Sequence, residues 1–141
     1  MNSNDAINID TKCYTVSAIP RDHPEIRHFQ LFVIRTNPQL GDDSWIVSDS
    51  WDGSPRHFLS DKQEWHYGIS DYDPFFGKVE PSLWTEEQEK RAAELRTQFR
   101  TEHYFSESQA LRLAVEYAPH VRVQTYTVAM ALADYAAHKH N

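Results

Sequence analysis

The sequence predicts an α+β fold: an antiparallel sheet of four to five N-terminal strands, then two helices, a further strand and a C-terminal helix packed on one sheet face. Three observations carry this. Residues up to 69 hold short β-rich runs punctuated by Pro, Gly, Asn and Asp. After Trp84 the apolar residues switch from alternation to a period of about 3.6. Strands and helices are segregated along the chain, which separates α+β from the alternating α/β pattern.

With 141 residues, 40% of them apolar, the chain suits one domain with one main core. Residues 1–11 read as a flexible N-terminus and 12–141 as the domain. Its parts are a strand meander (12–69), an aromatic loop (70–84) and a helical half with one strand (85–138).

The first strand is "CYTVSAI" (13–19), ended by Pro20, and "RDHPEI" turns the chain into "HFQLFVIR" (28–35), forming a hairpin. In that second strand Phe29, Leu31 and Val33 share one face, and Phe32 and Ile34 lie on the other, as a central strand requires. "SWIVSDSW" (44–51), "RHFL" after the "DGSP" turn, and "EWHYGI" (64–69) complete the sheet. Thr85 with Gln88, and Ser106 with Gln109, have the spacing of capping boxes and start two helices. Ala92, Leu95 and Phe99 form the apolar stripe of the first. Ala110, Leu113, Ala114 and Tyr117 form that of the second, which Pro119 stops. "HVRVQTY" reads as a strand and "TVAMALADYAAHKH" as an alanine-rich helix with His and Lys at its favourable C-terminal end.

The stretch "SDYDPFFGKVEPSLW" (70–84) crowds Tyr72, Phe75, Phe76 and Trp84 into what reads as an irregular loop. Such rings either close the edge of a core or form an exposed patch rimmed by Asp71, Asp73 and Glu80 that suits a protein partner. Tyr72, Asp73, Phe75, Phe76 and Trp84 are therefore the candidate partner-binding residues.

Most catalytic chemistries lack their signatures. Asp71 and Asp73 have a D-x-D spacing that could hold a hard cation, but so short a pattern also describes an ordinary solvated turn. "DSWDG" (49–53) fails the 1-3-5 spacing of a calcium loop. The eight histidines contain no helical i, i+4 ligand pair, and His28, His57 and His66 fall on separate expected strands. Cys13 is the only cysteine, which excludes an intramolecular disulfide and any multi-thiolate metal site, and no local signature makes it a nucleophile. Four glycines leave no phosphate-cradling loop of the P-loop or dinucleotide type. No cofactor and no metal site are expected.

The formal charge of −7 is concentrated in residues 1–81, with 13 acids against 7 bases. An acidic surface repels phosphate polymers and anionic lipid, so nucleic acid and membrane are not expected partners. No apolar run in the chain reaches membrane-spanning length and "MNSNDAINID" lacks a signal-peptide pattern, which points to the cytoplasm.

The layout "CYTVSAIP", "FQLFVIR", "SWIVSDSW", "EWHYGI", and above all the ending "ALRLAVEYAPHVRVQTYTVAMAL", resembles small uncharacterised accessory proteins of actinobacteria and their phages. The long "SDYDPFFGKVEPSL" insertion departs from that pattern. The resemblance implies context, an accessory product of a phage, plasmid or prophage, and no activity. Two readings follow. One is a non-enzymatic protein-binding factor acting on a host or phage protein. The other is a small enzyme or ligand-binding domain with a pocket between sheet and helices, using some of His28, His57, His66, Asp71 and Asp73. A homodimer through a sheet edge or the last helix is compatible with either.

Overall fold

The computed structural model describes residues 13–36, 41–50, 57–73 and 75–139; the expected flexible N-terminus 1–11, the turn 52–55 and His140 lie outside them. Five strands form one antiparallel sheet in chain order: β1 (Cys13–Val16), β2 (Leu31–Arg35), β3 (Trp45–Ser48), β4 (Phe58–Leu59) and β5 (Trp65–His66). The register pairs Tyr14 with Val33 and Val33 with Val47. All four residues of β3 are buried, as befits a strand with neighbours on both sides.

The strands are shorter than their β-rich runs, because local hydrogen bonds turn the chain early. Ser17 Oγ accepts from the Ile19 N–H at 3.3 Å just past β1. Residues Ile26–His28 form a 3₁₀ turn, so β2 begins at Leu31 and not at His28. After β5, Asp71 Oδ2 draws in the Tyr67 N–H at 2.5 Å and the chain enters a 3₁₀ turn at Ile69–Asp71.

The 70–84 stretch is also more regular than expected. A short helix α1 (Phe75–Lys78) sits between that turn and a second 3₁₀ turn, Pro81–Leu83. Asp73 accepts from the Phe75 N–H at 3.3 Å, and Pro81 takes a first-turn position where its missing N–H costs nothing.

Helices α2 (Glu86–His103) and α3 (Glu107–Tyr117) each begin at a reciprocal capping box, Thr85 with Gln88 and Ser106 with Gln109. α3 covers the middle of the sheet, packing Ala110, Leu113 and Ala114 against Leu31, Val33, Trp45 and Val47. α2 buries only Ala92, Leu95, Phe99 and His103.

Residues 120–126, expected as one strand, instead contribute to a hairpin of β6 (Arg122–Val123) and β7 (Tyr126–Thr127). Gln124 makes the reversal in the left-handed region at φ 56°. The last helix, α4 (Val128–Lys139), seals a second, smaller core in which Val128 and Ala131 meet Ile19 and Phe29.

Candidate functional site

At one end of the sheet, the β1–β2 connection, the β3–β4 connection and the junction after α3 converge on a cleft of 650 Å³. Its floor is held by Trp65, whose indole N–H donates to the Tyr117 hydroxyl at 2.9 Å, locking β5 to the end of α3. Arg27, His28, His57, His120 and Arg122 line the cleft, together with Asp49, its one acidic lining residue among those described.

Asp49 and His57 are brought face to face by strand register. The Ser48–Phe58 pair of β3 and β4, extended by one residue, sets position 49 opposite 57. Asp49 then accepts twice from one residue: Oδ1 from the His57 backbone N–H at 2.8 Å and Oδ2 from ring Nδ1 at 2.5 Å. Ser48 Oγ donates to the His57 carbonyl at 2.8 Å, and the Tyr67 ring lies against the imidazole with centroids 4.0 Å apart. A carboxylate at Nδ1 places the ring proton there and leaves Nε2 as the acceptor, the arrangement of an imidazole oriented for proton transfer. His57 Nε2 has no partner among the described residues.

A second histidine cluster lies elsewhere, centred on one buried ring. His103, in the last turn of α2, is fully buried. Its Nε2 stands 3.0 Å from His66 Nδ1 and 3.1 Å from the Tyr72 hydroxyl, which donates a short hydrogen bond to Glu102. The other Glu102 oxygen meets Lys62 Nζ at 3.4 Å, and Phe99 stacks on the His103 ring. Burial, reinforced by His66, pushes His103 down to about 4 against the opposing pull of the Leu59 backbone, Glu102 and Asp61. Its Nδ1 lies buried without a well-formed hydrogen bond. Burial and then the Glu102 hydrogen bond hold the Tyr72 proton far above its ordinary value. Burial pushes Glu102 up as well, but its bonds from Tyr72 and Lys62 outweigh that and keep it below the usual carboxylate range. This network clamps residues 61–73 onto α2.

The structure thus places the candidate residues of the 70–84 stretch in two roles. Tyr72 points inward to that clamp. Phe75, Phe76 and Trp84 pack edge-on and tilted against one another with centroids 5.4–6.2 Å apart, half-buried, and Arg96 of α2 lies over Phe76 and Trp84. Asp73 reaches Arg91 at 3.6 Å. Of the five residues considered for a pocket, His28 and His57 share the cleft, whereas His66, Asp71 and Asp73 do not line it. Asp71 and Asp73 each satisfy a backbone N–H, so the D-x-D pair does turn chemistry here. Among the described residues no group of three or more His, Cys, Asp or Glu could hold a metal ion, and no helix is long and apolar enough to cross a membrane.

Another cleft, of 540 Å³, lies between the 22–25 turn and α4, and several of its polar groups are already engaged. Tyr126 donates to Asp134 at 2.6 Å, Tyr135 to Asp22 at 2.8 Å, and His23 Nε2 meets the Ala131 carbonyl at 2.9 Å.

Fold and site together define the class: an α+β domain with a meander sheet and a basic cleft at its end. Comparison with known proteins finds no matching family model, no similar curated protein and no matching solved structure. Asp49, Arg27, His120 and Arg122 were not legible as site residues from sequence. For Asp49 a signal exists, since it and His57 lie one step beyond the Ser48–Phe58 pair and face each other once the β3–β4 register is known.

Proposed function

We propose that this protein is a small ligand-binding domain whose site is the 650 Å³ cleft at the sheet end, with His57 as its proton-transfer group. The observation that carries it is the Asp49–His57 pair, oriented by two hydrogen bonds inside a cleft. A histidine fixed this way has its tautomer selected in advance, which a satisfied surface histidine does not need. The test is an NMR fragment screen read on the histidine ring resonances. Hits should cluster on His57 and His120 and weaken in His57→Ala and Asp49→Asn. Hits scattered over the surface, or unchanged by both variants, would sink this reading.

A second reading is favoured by one observation. Leu83 is 72% exposed beside the Phe75–Phe76–Trp84 ring cluster, which extends the half-buried rings into an apolar patch of the kind that meets a protein partner. It casts the chain as a cytoplasmic accessory factor of a phage or mobile element. Leu83→Asp, which leaves the rings in place, should abolish capture of a stoichiometric partner from host lysate. If wild type captures none, this reading fails.

A further inference from the structure

We infer that the cleft takes a small organic phosphate, its phosphoryl group gripped by Arg27 and Arg122. The inference rests on the reading of the cleft as a ligand site and names the ligand's class.

The electrostatics of the cleft run opposite to those of the chain. The protein carries −7 overall, yet among the described residues two arginines and three histidines line this concavity against a single carboxylate. That carboxylate is engaged by His57, so its charge is directed at the imidazole. Neither Arg27 nor Arg122 is held in an ion pair among the described residues, although acids outnumber bases in the chain. His28 is paired with Glu25 at 3.6 Å and His57 with Asp49, which leaves the two guanidiniums as the charges an anionic ligand would neutralise.

The donor set favours phosphate over carboxylate. A guanidinium presents a planar fork that meets two oxygens at once, and a phosphoryl group's three oxygens give two such forks different oxygen pairs, where a monocarboxylate offers only one pair. A phosphate monoester offers three terminal oxygens and up to two charges. The cleft is also larger than a phosphate ion needs, and among its other walls Val121 and the Trp65 ring offer apolar surface for the carbon skeleton of the ester. A phosphate polymer fits less well, because the acidic remainder of the molecule repels a chain of charges extending beyond the cleft.

The experiment is a titration of the full chain at constant ionic strength and pH 7, following the His57 and His120 ring resonances. Its probes are inorganic phosphate, phenyl phosphate, acetate and a short single-stranded oligonucleotide. Saturable shifts with both phosphates, tighter for phenyl phosphate, are expected. Acetate should be weaker, and Arg27→Gln or Arg122→Gln should each weaken phosphate binding by roughly tenfold or more, as loss of a charge-assisted hydrogen bond does. Both arginines are exposed, so the variants should fold as wild type does. Unsaturable shifts, or double-variant binding equal to wild type, would overturn the assignment. So would tighter binding of the oligonucleotide than of phenyl phosphate. If fragments bind the cleft but phosphates do not, the ligand class is wrong and the site stands. If neither binds, both fall.

Discussion

His103 carries a charge penalty that turns acidity into strain. The unfolded imidazole, with an ordinary value of 6.5, takes up its proton before the folded one, which is held down at about 4. Between those two values the unfolded state binds more protons, so stability falls as pH falls across that window. Glu102, kept below the usual carboxylate range by Tyr72 and Lys62, adds in the same direction at the acidic end. Urea unfolding at pH 7 and pH 4.5 should show a loss of about 2 kcal/mol from His103, and His103→Gln should flatten that dependence. An equally steep profile in the variant would locate the proton uptake elsewhere. None of this was visible in the sequence. His66 lies on β5, Tyr72 beyond a 3₁₀ turn and His103 at the end of α2, and only tertiary packing puts the rings within 3.1 Å of one another.

The elements themselves were more legible, because their signals are local. Both capping boxes formed as the spacing of Thr85 with Gln88 and Ser106 with Gln109 implied, and the stripes Ala92–Leu95–Phe99 and Ala110–Leu113–Ala114 are the buried faces of α2 and α3. Thr85→Ala and Ser106→Ala should each cost about 1 kcal/mol, measurable as a lowered midpoint in chemical denaturation with unchanged slope. Ser106→Ala should also uncouple Phe105, which bridges to Trp45 by two backbone hydrogen bonds of 2.8 and 3.0 Å immediately before α3. What propensity did not reveal were strand ends and the β6–β7 reversal. Those are decided by single hydrogen bonds such as Ser17 to Ile19, and by one residue, Gln124, adopting φ 56°.

At the scale of the molecule, the meander was readable because each strand pairs with its chain neighbour, a topology that needs no long-range information. The cleft was not readable, since it draws Arg27, Asp49, His57, His120 and Arg122 from several connections that meet only when the sheet is built. The second core is non-local too: His23 and Ala131, whose contact helps close it, are 108 residues apart. That separation has a meaning in time. A ribosome adding roughly 5–20 residues per second completes β1 and β2 well before α4 exists, so Ile19 and Phe29 wait uncovered for several seconds while the rest of the sheet forms. During synthesis the nascent chain therefore presents a small greasy surface near its start. A holdase or protease has that interval in which to find it, and only the arrival of α4 closes the window.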